Sequence, residues 1–351
     1  MNAGVSTADR SLGKIPGQHS DKRSRELPLK ILLVFACCLW IQLSFFKYLP
    51  DIGTAVYQKS PSVLTDFEIF QNVYMAKASV HAARFLGNHI VFDFAKMLAP
   101  YIHSSDIRFH PLRIAAAILT SLYFIIGVAP IFFVAKEIMN WRVFLAGYAV
   151  LFACGMYIFY PCDAPSLAVF SFGFFYLLRG WLVAVLICLV VMGLFRESAF
   201  HLLVVTAMWA LTCGQGTAWR RAIWLMVMAL IFVLEYKITR IYFPGPLTGT
   251  GGLILGSEIF TGKGLLSFTS MTTLSLVALG PAVYLCLRVA DWRNTALDRF
   301  FLLNCLAVPC WVIFYRMFGG NITEFRMLWP ALLPLVYGIA MAGIGRENQT
   351  I

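Results

Sequence analysis

Residues 181–213 read WLVAVLICLVVMGLFRESAFHLLVVTAMWALTC. Two aliphatic runs, Val183 to Phe195 and Leu202 to Trp209, flank the step Arg196-Glu197-Ser198-Ala199. As one long helix broken at Arg196, the stretch crosses a bilayer once. As two short spans, it crosses twice, and every later segment changes side. Basic residues decide between them, because Lys and Arg collect on the cytoplasmic side of membrane proteins. The two-span reading puts Lys136/Arg142, Arg179, Arg220/Arg221, Arg288/Arg293/Arg299 and Arg346 on the side of the leader's Arg10, Lys14, Lys22, Arg23, Arg25 and Lys30. The one-span reading exports three of these clusters. We therefore expect two spans, 181–195 and 198–213.

The rest of the chain fits that frame. It has 351 residues, 60% hydrophobic and 13% charged, with a mean hydropathy of +0.77. A soluble domain has too much surface to wet for so apolar a composition. Repeated runs near the ~20 residues needed to cross hydrocarbon point to helices, and no alternation supports a β-barrel. The expected fold is all-α: a polytopic transmembrane bundle of about ten spans. They are placed at 29–46, 112–134, 143–159, 164–178, 181–195, 198–213, 222–241, 266–287, 300–318 and 327–344.

The polar leader, residues 1–28, is expected to be disordered and cytoplasmic. The first apolar run, Ile31 to Phe46, ends at Lys47 without a small-residue cleavage site, so it reads as a retained signal-anchor. Residues 29–344 form the membrane domain, including an external loop at 47–111, and 345–351 form a cytoplasmic tail. Both termini then face the cytoplasm, and a bacterial inner membrane is the expected location. The nine cysteines are scattered, without CxxC or Cys/His spacing, and read as apolar filler. The net charge of +11 follows from membrane orientation, so no nucleic-acid partner is expected.

Two external loops are long. In the first, Phe67, Phe70, Val73 and Tyr74 share one helical face, and Val80 to Leu98 mixes apolar residues with His81, Arg84, His89, Asp93 and Lys96. Both stretches predict amphipathic helices lying along the membrane surface. The other, Tyr242 to Gly264, contains PGPLTGTGG, which excludes regular helix. It lacks the following GK[ST] of a nucleotide-phosphate loop.

With this threading, Asp66, Glu68, Asp163, Arg196, Glu197, Glu324 and Arg326 collect on the external side. Charge at the ends of membrane helices is costly, and is paired or functional. Asp66 and Glu68 can supply a general base and a second carboxylate that orients it or shares a divalent cation, Mg or Mn. They can equally complete a capping box behind Thr65. Arg196 can grip a lipid phosphate with its forked guanidinium, steadied by Glu197, or the two can pin a turn as an internal ion pair. His201, one turn on, can assist or simply pack. Asp163, between Pro161 and Pro165, can accept sugar hydroxyls or cap the next span. Glu324 and Arg326, after Gly319-Gly320, can form a second arm of the pocket or anchor the last span.

These motifs resemble the GT-C superfamily of integral-membrane glycosyltransferases. The resemblance rests on a first span followed by Asp66-Phe67-Glu68 at the head of a helical external loop. Phe195-Arg196-Glu197-Ser198-Ala199 is similar to the family's R/K-E-x-A step between short middle helices. Glu324-Phe325-Arg326-Met327-Leu328-Trp329-Pro330 is similar to its E-x-R-x-x-x-P entry to a late helix. At topology level the likeness spans residues 29–344. Larger members carry a soluble C-terminal domain, whereas here Ile351 soon follows the last span, so acceptor recognition is expected from the external loops or a partner.

The resemblance implies a polyprenyl-phosphate-sugar donor among the membrane lipids and a glycan or lipid acceptor. It implies Asp66 as base, Glu68 as its support, and Arg196 at the donor phosphate. The competing expectation is a polysaccharide or lipid transporter, flippase-like, using the same charges as a path. Such proteins place ionisable groups near mid-membrane and show internal repeats, and no clear repeat is present.

Overall fold

The computed structural model describes residues 32, 35–36, 66–71, 75, 84–103, 110–130, 139–155, 161–196, 199–214, 216–244, 282–285, 295–317 and 329–342. Ten helices carry the described fold, and no strand occurs among the described residues. They are α1 (Asp66–Phe70), α2 (Phe85–Leu98), α3 (Pro111–Val128), α4 (Trp141–Gly155), α5 (Asp163–Leu178), α6 (Leu182–Phe195), α7 (Phe200–Thr212), α8 (Ala218–Tyr242), α9 (Ala296–Met317) and α10 (Trp329–Ala342). Eight of the expected spans thus appear as helices, within a few residues of their expected limits. The spans at 29–46 and 266–287 fall largely outside the described residues, as do the leader, the tail and most of the loop after Tyr242.

The decisive stretch folds as two helices. α6 ends at Phe195, and Arg196 adopts extended backbone (φ −161°, ψ 143°), which stops the helix. α7 then runs back. Gly173 of α5 lies against Leu202 of α7 and Cys188 of α6, while Gly180 lies 4.0 Å from the Trp209 ring in the measure of a built β-carbon. Leu202 to Trp209 therefore runs alongside Gly173 to Gly180, parallel to α5 and antiparallel to α6.

The turn between α5 and α6 follows from three residues. Arg179 ends α5, and Gly180 takes φ +71°, a left-handed conformation that a β-carbon disfavours. The Gly180 N–H then reaches the Leu177 carbonyl at 2.9 Å and the Trp181 N–H reaches that of Tyr176 at 2.9 Å. This is the Schellman pattern, and the stacked Tyr176 and Trp181 rings, 5.8 Å apart, supply its hydrophobic contact.

The other helices alternate in the same way. Asn140, whose side chain accepts from the N–H groups of Arg142 and Val143, also donates its own N–H to Ala340 at 2.8 Å. At the far end of the same pair, the Trp329 indole donates to the Leu151 carbonyl at 2.7 Å. α4 and α10 are thus antiparallel. Phe124 of α3 packs on Tyr148 and Phe152 of α4. Gly127 faces Tyr148 and Ala168, and its carbonyl accepts from Ser171 at 2.7 Å. In α9, Phe300 stacks on Phe174 and Trp311 meets His201. α3, α5, α7 and α10 run one way, and α4, α6, α8 and α9 the other.

Helix starts are capped locally. Thr217 accepts from the Arg220 N–H, and His110 accepts from that of Leu112, with Pro111 at the first helical position. Thr295 and Asp298 exchange backbone and side-chain bonds at 2.8 and 3.2 Å, a capping box for α9.

α3 and α8 are long and apolar enough to cross a membrane; α5, α6 and α7 are apolar but shorter. α3 is largely buried in the bundle. α8 instead exposes Ile223, Met226, Leu230, Val233, Leu234 and Ile238. Its 25 residues span roughly 37 Å at ~1.5 Å per residue. An apolar helix with so little protein cover is what a lipid-facing helix requires.

Candidate functional site at one end of the bundle

α5 begins with Asp163 and Arg196 follows the last residue of α6, so the hairpin brings both residues to the same end. The Arg196 guanidinium donates through Nη1 to Asp163 Oδ1. Both are buried: Asp163 is 0% exposed and Arg196 6%. The Cys162 thiol also donates to Asp163 Oδ1, at 3.4 Å. A carboxylate in the first turn of α5 further gains from the unpaired N–H groups of that helix end. Asp163 was expected as a helix cap or a sugar ligand. Cys162 holds the cap position, and the Asp163 carboxylate accepts from the Arg196 guanidinium. Glu197 lies outside the described residues.

α1 and α2 pack against the residues that lead into Asp163. Phe70 of α1 is fully buried in a cluster with Val91, Phe92 and Ala95 of α2, Leu112, Ala115 and Ala116 of α3, and Cys162. The Phe67 ring meets Phe92 at 5.8 Å and His110 at 5.5 Å. Gly87 of α2 packs on the backbone of Pro161 and Cys162. The helix opened by Asp66 is therefore seated beside the residue that precedes Asp163. Asp66 lies at its first position, and Glu68 is exposed. Glu324 and Arg326 fall outside the described residues, and their place in the site stays an expectation.

Next to Arg196, His201 is buried between two rings, with centroids 4.1 Å from Phe200 and 4.3 Å from Trp311. Tyr123 of α3 touches Phe195 edge-on at 6.3 Å, which extends the aromatic wall below the ion pair.

Among the described residues, no three His, Cys, Asp or Glu side chains gather in a way that could hold a metal ion.

The opposite end of the bundle is basic. Arg142 starts α4, Arg179 ends α5, Arg220 and Arg221 lie in the first turn of α8, and Arg299 lies in that of α9. All but Arg221 are exposed; Arg221 donates to the Ala210 carbonyl at 2.5 Å and ties α8 to α7.

No known family model, curated protein or solved structure matches this chain. Function must be argued from its own residues. Two features lay beyond sequence reasoning: the Cys162 thiol beside Asp163, and Gly87 as the seat of α2. Neither carries a motif. A third, Glu235 of α8, had a signal in the sequence, a lone acid inside an apolar span.

Proposed function

We propose that this chain is a multi-pass membrane protein of about ten spans, a GT-C-like glycosyltransferase that moves a sugar from a polyprenyl phosphate to a glycan or lipid acceptor. The arginine-rich end of the bundle is its cytoplasmic side and the α1–α2 end its external face, in a bacterial inner membrane. One observation supports the reading above all. The helix carrying Asp66 and Glu68, the Asp163 carboxylate and the Arg196 guanidinium occupy one end of the bundle, although they are distant in sequence.

In this reading the donor's lipid tail lies among membrane lipids and its phosphate comes to Arg196. A guanidinium is a planar fork of five N–H donors, a geometry suited to phosphate oxygens. Asp66 takes the proton of an acceptor hydroxyl as that oxygen attacks the anomeric carbon. The bond from the anomeric carbon to the phosphate oxygen breaks, and the polyprenyl phosphate leaves with the electron pair, its charge met by Arg196. Asp163 holds the guanidinium in place. Glu68 orients Asp66 or shares a divalent cation with it.

The test is transfer from a panel of polyprenyl-phosphate sugars by purified protein, beside Asp66→Asn. Transfer by wild type, lost in a variant that still inserts and folds, is expected. Undiminished transfer by the variant removes Asp66 as base; absence of transfer with every donor argues against the enzyme.

A further inference from the structure

The seam between α6 and α8 contains a carboxyl group that the proposed transfer does not use. Gly193 of α6 faces Glu235 of α8 so closely that a β-carbon there would lie 2.5 Å from Oε2 and 2.6 Å from Oε1. The missing side chain of Gly193 is thus the notch that the carboxyl group fills. Both carboxyl oxygens are buried, and neither has a hydrogen-bond partner among the described residues. The neighbouring α8 residues Val233, Leu234 and Ile238 are exposed and apolar, which puts the seam at the lipid boundary.

Charged and titratable groups around it are few. On α8 itself, Lys237 is exposed, and Arg240 lies with its guanidinium carbon 5.5 Å from the Tyr236 ring centroid. On α6 there is Cys188, and past its end Arg196, held by Asp163. On α7 there is His201, its ring tilted against that of Trp311. An ionised carboxylate left without hydrogen bonds away from water costs several kcal/mol. A neutral acid costs far less, and suits a seam between apolar helices.

We propose that Glu235 is a proton-binding site: a carboxylic acid kept in the Gly193 notch and reachable from the lipid. The inference rests on the membrane reading and is independent of sugar transfer. Its chemical signature is modification by a hydrophobic carbodiimide. The acid adds across a C=N bond of the reagent, its oxygen bonding to the central carbon and its proton going to nitrogen. The resulting O-acylisourea rearranges to a stable N-acylurea, with no oxidant or reductant involved.

The experiment treats full-length protein in lipid nanodiscs with dicyclohexylcarbodiimide or a water-soluble carbodiimide, followed by intact mass and peptide mapping. The expected result is an adduct at Glu235 with the hydrophobic reagent, absent with the water-soluble one, and lost in Glu235→Gln. Labelling should fall as pH rises, because deprotonation removes the reactive acid. Gly193→Ala puts a methyl group in the notch and should abolish the preference for the hydrophobic reagent. An unmodified Glu235 in wild type, or equal labelling by both reagents, overturns the proposal.

Discussion

Gly87 of α2 rests directly on the backbone of Pro161: a β-carbon at position 87 would lie 2.6 Å from the Pro161 carbonyl oxygen. The contact holds the loop helix against the residues that lead into Asp163. Backbone cannot retreat as a flexible side chain can. Gly87→Ala should therefore lift α2 and destabilise the protein by about 1–3 kcal/mol, the usual range for overpacking. Thermal unfolding in detergent checks this, and an unchanged midpoint would show that α2 is not seated there.

The Asp163–Arg196 pair invites a double-mutant cycle. Removing the carboxylate takes an ion-pair partner from a buried guanidinium, so Asp163→Leu should cost roughly 3–5 kcal/mol. Asp163→Leu with Arg196→Met replaces both by hydrocarbon and should regain most of that loss. If the stable double variant also transfers sugar, the pair is a helix tie and nothing more. Loss of transfer in a folded double variant places Arg196 in the chemistry.

Arg196→Ala offers a kinetic view of the same residue. A guanidinium at the donor phosphate predicts impaired donor use with acceptor use nearly unchanged. Steady-state kinetics varying one substrate at a time separates the two. Equal losses on both axes would indicate a purely structural ion pair.

At the other end, Gly180 has φ +71° and closes the α5–α6 turn. Gly180→Ala should lower stability by about 1 kcal/mol, the order of the left-handed penalty for a residue with a β-carbon. Gly180→Asn should cost less, because asparagine is the usual second choice there. Unfolding midpoints of the two variants decide the ranking.

Sidedness has a direct assay. His89 of α2 and Gly216 before α8 are both exposed and belong to opposite ends of the bundle. A cysteine at 89 should react with a membrane-impermeant maleimide on intact cells, and one at 216 only after lysis. The exposed native Cys310 is replaced in both variants. Labelling of both from one side would refute the bundle's orientation across the bilayer.

Much of this architecture was legible because membrane helices announce themselves by length, apolarity and flanking arginines. The break at Arg196 is the clearest case: counting basic clusters selected two helices over one, and α7 indeed runs back along α5. The partner of Arg196 was not legible. Asp163 lies 33 residues from Arg196, and only the hairpin brings its carboxylate to the guanidinium; Glu197, the expected support, lies outside the described residues. The Val80 to Leu98 helix was found by its mixed face, and among the described residues it runs Phe85–Leu98. Glu235 was overlooked among apolar residues, and its environment depends on a glycine 42 positions earlier, a relation that sequence spacing does not encode.

The Gly180 turn has a consequence for biogenesis. A hairpin closed early at Gly180 brings Asp163 and Arg196 together at its open end. In the proposed membrane setting, the joined pair would enter hydrocarbon as a single neutral dipole, avoiding the toll each ion would pay travelling separately.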